Sequence, residues 1–327
     1  MNGPLFTLEE LRTAANRVYE EMPATPQYAW PLLANRFETE LWLKHENHTP
    51  TGAFKIRGGI TFIDWLQKEQ SGLRGIVTAT RGNHGQAQAR AASKLGLEVV
   101  IVVPFGNSTE KNEAMRGFGA EVIEYGKDYN EAADHAAMLS KERGLISVPA
   151  FHKEIVRGVA SYGLELFDEA GELDAVYVPV GNGSGICGTI AARDALGLGT
   201  KIIAVVSTKA PALKIALESG ASIAASGDAQ TFADGVAVRF PHEEAFQLYA
   251  QGVDHAVAVD DDLVADAMRV IWQDTHNLAE GAGAIALAGF MAEQEQMKDK
   301  RVAAILTGGN IDQSMVATVL SGQTPRV

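Results

Sequence analysis

The sequence predicts an α/β protein of two lobes, each an open sheet rich in parallel strands. Three observations carry this. Short Val/Ile runs without polar alternation, such as Val99–Val103 and Ala175–Val180, recur along the chain, and such runs suit strands buried on both faces of a parallel sheet. Segments with helical spacing separate them, so the order is strand–helix–strand rather than hairpin after hairpin. Glycine-rich turns follow several of these runs directly, at the strand ends where open α/β sheets bind ligands. A length of 327 residues accommodates two such lobes.

Taken in order, Thr7 with Glu10 three residues on makes a capping-box pattern that opens a helix over 7–20. Glu40-Leu41-Trp42-Leu43-Lys44 reads as a short strand. From Gly75 the alternation is regular. Ile76–Ala79, Val99–Val103, Glu121–Glu124 and Leu145–Val148 are strands; His84–Leu95, Ser108–Phe118 and Tyr129–Arg143 are helices. A second series opens near Ile155. It has strands at 175–180, 201–206 and 302–306, the region 255–259, a helix from Thr189 to Leu196, and helices from Asp260 and Gly281. Ala221–Gly227 is rich in small residues and reads as a loop. There is neither a solenoid repeat nor a low-complexity tract.

Hydrophobic content of 46% with 21% charged residues is ordinary for a soluble globular enzyme. A net charge of −13 argues against nucleic acid or an anionic membrane surface as partner. The N-terminus carries Glu9, Glu10 and Arg12 without a long apolar stretch, so neither a signal peptide nor a membrane span is expected. A single cysteine, Cys187, excludes an intrachain disulfide and fits a reducing compartment, here the cytoplasm. It reads as a small buried filler.

Three segments carry chemistry. Lys55 stands in Thr51-Gly52-Ala53-Phe54-Lys55-Ile56-Arg57-Gly58-Gly59. A lysine among small and apolar neighbours is partly desolvated, which lowers its pKa. A neutral amine can form a Schiff base with an aldehyde; the alternative is a solvated lysine at a helix start. Val180-Gly181-Asn182-Gly183-Ser184-Gly185-Ile186-Cys187-Gly188 follows an apolar strand and precedes a helix. Such a turn aims backbone N–H groups at an anion. Ile305-Leu306-Thr307-Gly308-Gly309-Asn310 sets one hydroxyl at a strand's C-terminal end with room beside it. An aldehyde-capturing amine, a phosphate cradle and a lone hydroxyl together point to pyridoxal 5'-phosphate.

On these residues the chain resembles the fold-type II pyridoxal-phosphate enzymes, in the serine/threonine dehydratase and serine racemase branch, whose lobes are of the tryptophan synthase β-like kind. The matching pieces are 51–59, Gly-Asn-His-Gly-Gln at 82–86, the 181–188 loop, Ala233-Asp234-Gly235, Glu280-Gly281-Ala282-Gly283-Ala284 and Thr307-Gly308-Gly309-Asn310. They occur in the family's order across roughly residues 20–315.

The resemblance implies roles. Lys55 is the Schiff-base lysine and the base that removes the substrate's α-proton. Phe54 packs by the cofactor ring or is ordinary core. Asn83 binds the phenolic oxygen or is a helix N-cap. Gly181, Asn182, Gly183, Ser184 and Gly185 hold the phosphate, Ser184 with its hydroxyl and Asn182 through its tolerance of left-handed backbone. Gly235 closes over the cofactor, and Glu280 stands at the ring's edge or, as a lone carboxylate, on the surface. Thr80, Arg81, Gly82 and His84 line the substrate side, with a structural role as the other reading of His84, and Gly85 keeps the backbone close to the substrate carboxylate. Thr307 faces the pyridine nitrogen, where a hydroxyl cannot stabilise a pyridinium as a carboxylate would. That suits loss of a β-hydroxyl as the α-proton leaves, giving a keto acid and ammonia from a serine- or threonine-like amino acid. The implied large cofactor domain is 1–74 plus 153–327, with 75–152 a small substrate-side domain, and the implied assembly is a homo-oligomer, a dimer.

The chain also departs from the family. Racemising relatives place a serine where Arg81 stands, and an arginine stays protonated, so dehydration is expected to exceed racemisation. Arg81 either pairs with a second substrate carboxylate, as in 3-hydroxyaspartate, or faces solvent or an ion-pair partner in the small lobe; phenylserine is a further candidate substrate. Ser207 and Leu213 occupy the positions of a glutamate and an aspartate that bind a divalent cation in several relatives, so that metal site is expected to be missing. With the sequence stopping soon after Asn310, the C-terminal regulatory domain of biosynthetic threonine dehydratases is not expected. Two other classes stay open. Gly183–Gly188 fits Gly-x-Gly-x-x-Gly, a nicotinamide-binding pattern, although Val206-Ser207-Thr208-Lys209 lacks the acid that fold needs. A non-catalytic cofactor or amino-acid binder is the other.

Overall fold

In the computed structural model, which describes residues 4–220 and 227–326, the Val/Ile runs form strands buried along their length. Of the expected loop at 221–227, only Gly227 lies among the described residues. The strands are β1 (Gln27–Ala29), β2 (Glu40–His45), β3 (Gly75–Ala79), β4 (Glu98–Val103), β5 (Glu121–Glu124), β6 (Ile146–Ser147), β7 (Ala175–Pro179), β8 (Lys201–Ser207), β9 (His255–Val259) and β10 (Arg301–Leu306). They make a six-stranded sheet, β1-β2-β10-β7-β8-β9, and a four-stranded sheet, β5-β4-β3-β6. Every pairing is parallel except β1 with β2. The parallel-rich α/β class expected from the sequence is the class found.

Side-chain alternation sorts the larger sheet's faces. Val176 and Val178 of β7 join a core beneath the helices Leu8–Tyr19, Lys55–Glu69, Lys153–Ala170 and Ser184–Ala195. Ala175 and Tyr177 face the opposite core, with Ile285 and Phe290 of the helix Gly281–Ala292. The smaller sheet has its own cluster around Val77, Val100 and Val102. The N-terminal helix starts where the capping box places it: Glu10 N donates to Thr7 Oγ1, and Thr7 N to Glu10 Oε2 at 2.8 Å.

Some elements differ from the reading. β6 is two residues long, not four. The helix after β7 starts at Ser184, five residues before Thr189. Its cap is Gly183 at φ +97°, in left-handed backbone, and a Cβ there would meet Ala245 Cβ at 2.8 Å. β1 and the helix Pro31–Phe37 were not legible, since three and seven residues are too short to show a period. Among the described residues no helix is long and apolar enough to cross a membrane.

At the N-terminal end of the larger sheet, His255 lies between two carboxylates. Its Nδ1 is 2.9 Å from Asp254 and its Nε2 2.9 Å from Glu293. Tyr177 also donates to Glu293 (2.8 Å), and Lys201 is 3.3 Å from Asp254. Burial disfavours the imidazolium, but the carboxylates outweigh it and the pKa rises. A raised pKa stabilises the fold fully below the unfolded value of about 6.5, and the gain disappears as pH rises through the folded value. The melting-temperature gap between wild type and His255→Gln should therefore be widest in mild acid and narrow above about pH 6.5. Melts across this range check it, and a gap independent of pH would contradict it.

Candidate active site

The turn that presents Lys55 is fastened to the end of β10. Phe54 N donates to Thr307 O (3.0 Å), Gly309 N donates to Gly52 O (2.9 Å), and Ala53 bridges Gly308. Thr49 Oγ1 accepts from Ala53 N at 2.9 Å. Lys55 is the first residue of the helix Lys55–Glu69. Its half-buried side chain brings Nζ to 3.5 Å from Ser184 Oγ and 4.9 Å from the Phe54 ring centre. Burial pushes the Lys55 pKa down to about 8, against the opposing pull of Glu280. Phe54 meets Tyr162 edge-on at 6.1 Å, and Tyr162 donates to Gly185 O at 2.8 Å.

Beyond Lys55 lies the glycine-rich turn. Its second half is the first turn of the helix Ser184–Ala195, where backbone N–H groups lack intrahelical acceptors. A Cβ on Gly181 would lie 2.3 Å from Gly235 O, so these two glycines touch backbone to backbone and leave no room for a side chain. Ser184 is buried. The left-handed residue is Gly183; Asn182 is not among the positive-φ residues, so its tolerance of that geometry is not used. Cys187 is buried, as a filler would be.

On the other wall, Asn83 is the first residue of the helix Asn83–Ser93, with Gly82 as its cap, so Asn83 is not itself the N-cap. Asn83 Nδ2 donates to Glu280 Oε1 at 2.7 Å. Glu280 is buried, not on the surface. Burial pushes its pKa up to about 7, with Lys111 opposing and Asp234 adding to the rise. Its Oε2 has no hydrogen-bond partner among the described residues, and neither does His84 Nε2. Burial and the neighbouring Lys55 push the His84 pKa down to about 3. Thr80 Oγ1 accepts from Gly82 N (3.1 Å), and Thr307 Oγ1 donates to Ala282 O (3.1 Å). A Cβ on Gly85 would strike Met115 and Thr80 at 2.5 Å, so packing within the small sheet's layer also demands that glycine.

Arg81 is exposed and makes no ion pair among the described residues, so the small-lobe ion pair does not form. Ser207 Oγ accepts from Lys209 N at 3.1 Å, and Leu213 is buried in the core. Lys111 was missed from sequence, where it looks like one charge on a polar helix. Its stem packs on Gly82 and its ammonium pairs with Asp234. Tyr162 and Asn310 were missed too, although Asn310 closes a motif already singled out.

These residues suit an aldehyde-bearing phosphate. The amine is depressed toward neutrality, the cradle excludes side chains, and two buried polar atoms, Glu280 Oε2 and His84 Nε2, lack partners among the described residues. Residues 19–308 match the family model described as "Pyridoxal-phosphate dependent enzyme". The chain is 36% identical over 300 residues to the biosynthetic L-threonine dehydratase IlvA of Haemophilus influenzae, covering 91% of this chain and 58% of that protein. It thus spans less than two thirds of that relative's length. It is 30% identical to the L-threo-3-hydroxyaspartate ammonia-lyase of Saccharomyces cerevisiae, covering 97% of each. The processed form of threonine deaminase isoform 2 from Solanum lycopersicum has a similar structure, with a TM-score of 0.88 and 30% identity over 98% of this chain and 95% of that one.

Proposed function

We propose, from the premise that the chain belongs to the pyridoxal-phosphate dependent enzyme family, that it eliminates water from a small β-hydroxy amino acid, serine- or threonine-like, and that the released imine takes up water again to give a keto acid and ammonia. The observation that carries this is the depressed Lys55 amine, 3.5 Å from Ser184 in the anion-binding turn. The bound cofactor supplies an electron sink for cleavage at the substrate's α-carbon. Lys55 anchors that cofactor and takes up the α-proton. The backbone of 181–185 and Ser184 Oγ hold the phosphate, with Gly235 closing over it and Phe54 packing beside the ring. Asn83 spends one Nδ2 hydrogen on Glu280 and keeps the second for the phenolic oxygen. Thr307 offers a hydroxyl, not a carboxylate, to the ring nitrogen; it must first rotate its hydrogen away from Ala282 O. Thr80, Gly82 and His84 receive the substrate carboxylate, His84 as a neutral imidazole. In this reading 1–74 with 153–327 is the cofactor domain and 75–152 the substrate-side domain.

Exposed Tyr28, Leu32, Trp272 and Leu278 lie on segments tied together by Arg36–Asp274 and His48–Asn277. Exposed apolar side chains of this kind support a dimer, and the cytoplasm suits the lone buried cysteine.

A second reading, elimination from 3-hydroxyaspartate, is favoured by Arg81, exposed and without an ion-pair partner among the described residues, just before the 82–86 segment. A guanidinium fork there suits a second carboxylate. A keto-acid assay of the pyridoxal-phosphate-loaded protein with serine, threonine, phenylserine and both 3-hydroxyaspartate diastereomers tests both. Keto acid from none of them would end the lyase reading. If the diacid is the substrate, Arg81→Ala lowers kcat/KM for it by roughly 10- to 100-fold and leaves the monoacids nearly unchanged. Unaltered kinetics on every substrate would remove the carboxylate role.

A further inference from the structure

Asn310 closes the Thr307–Asn310 motif, and the reading above gives it no task. Its Nδ2 donates to Thr51 O at 2.7 Å and to Asn83 Oδ1 at 2.8 Å. Those two bonds use both of its amide hydrogens; Gln86 Oε1, at 3.5 Å, is a distant third acceptor. The seat is tight. A Cβ on Gly52 would lie 2.5 Å from Asn310 Oδ1, and Gly52 sits at φ +68°, where glycine is favoured. One side chain thus joins the turn before Lys55, the start of the helix Asn83–Ser93 and the segment after β10.

The consequence falls on Asn83. An asparagine amide has two nearly isosteric orientations, one presenting NH2 and the other C=O. Because Asn310 donates to Asn83 Oδ1, Asn83 Nδ2 is turned toward Glu280, to which it donates at 2.7 Å. In the flipped orientation Asn83 Oδ1 would oppose Glu280 Oε1, acceptor against acceptor, and no N–H would point into the site. We infer that Asn310, seated on Thr51 O, is a positioning residue that fixes the amide of Asn83 with its donor toward the cofactor. This rests on the pyridoxal-phosphate reading of Lys55 and Asn83.

Asn310→Asp is the informative variant. It keeps the shape, cannot donate, and sets an acceptor against Asn83 Oδ1, which favours the flip. It is made in the wild type and in an Asn83→Ala background, with Asn310→Ala as a companion that adds no charge. The full chain is loaded with pyridoxal phosphate, and two quantities are followed: cofactor release on dilution, and the pH dependence of the bound cofactor's visible absorbance. In the wild-type background Asn310→Asp should speed release about tenfold and move the absorbance midpoint by about half a pH unit. Asn310→Ala should change both in the same direction by less. In the Asn83→Ala background Asn310→Asp should change neither by more than about twofold, because the effect runs through Asn83. Wild-type release and an unmoved midpoint in both Asn310 variants would overturn the inference. So would an effect of equal size with and without Asn83, which is what mere support of the turn predicts. Failure of the wild type to take up pyridoxal phosphate would overturn the underlying cofactor reading as well, which separates the two failures.

Discussion

Lys55→Ala is expected to abolish the visible absorbance of bound pyridoxal phosphate and to lower keto-acid formation by roughly 10³-fold or more, because the proposed function gives this one side chain both the covalent anchor and the α-proton base. The fold should tolerate the change. Among the described residues the one polar contact of Nζ is the long 3.5 Å approach to Ser184, and burial already disfavours its charge. Melting of the cofactor-free variant should therefore match or exceed that of the cofactor-free wild type. Spectra, turnover and melts of the two proteins check all three statements. A variant that keeps its turnover would remove Lys55 from the chemistry.

Two residues further on, Arg57→Ala has its effect on stability. Arg57 is wholly buried. Its Nε donates to Glu46 (2.7 Å), its Nη1 to Glu165 (2.6 Å) and Ser161 (2.8 Å), and its Nη2 to Thr25 (3.1 Å), Glu46 and Glu165. Lys44, also buried, donates to Glu165 (2.5 Å) and Thr25 O (2.9 Å). Two cations and two carboxylates thus balance in a dry site that ties the Lys55 helix to β2 and to the helix Lys153–Ala170. Burial disfavours both carboxylate and ammonium here. Arg57 and Lys44 nevertheless hold the Glu165 carboxyl below its ordinary range, while the Lys44 ammonium is itself pushed down. Removing Arg57 leaves two buried carboxylates facing one ammonium, a cost of about 3–5 kcal/mol. Arg57→Lys keeps the charge but loses the fork, so it should lose less stability than alanine and more than a surface substitution. Urea unfolding of the cofactor-free proteins measures both, and a loss below about 1 kcal/mol for Arg57→Ala would show that the cluster is not a structural anchor.

Most of the fold was legible because buried parallel strands leave short apolar runs rich in Val and Ile; β3, β4, β7, β8 and β10 all stand where such runs lie. The capping box at Thr7 marked a helix start through local hydrogen bonding alone. Harder to read were the pieces whose logic is tertiary. Position 183 has no room for a side chain because Ala245 and Tyr249 crowd it, a contact some sixty residues away in sequence. Candidate site residues were visible where chemistry is local, as with an amine among small neighbours or glycines after a strand. They were invisible where a partner defines them. Glu280 looks like a surface acid until Asn83 and Lys111 surround it, and Asn310 gains a task only from the two amide bonds it makes.

The central claim is that the nitrogen of residue 55 carries the cofactor. Load the full-length protein with pyridoxal phosphate, reduce it with borohydride, digest it and locate the phosphopyridoxyl mass by peptide sequencing in a mass spectrometer. The account predicts the label on the peptide containing Thr51 to Arg57, at Lys55 and in near-stoichiometric yield. A label on a different lysine, or none after saturation, would contradict it.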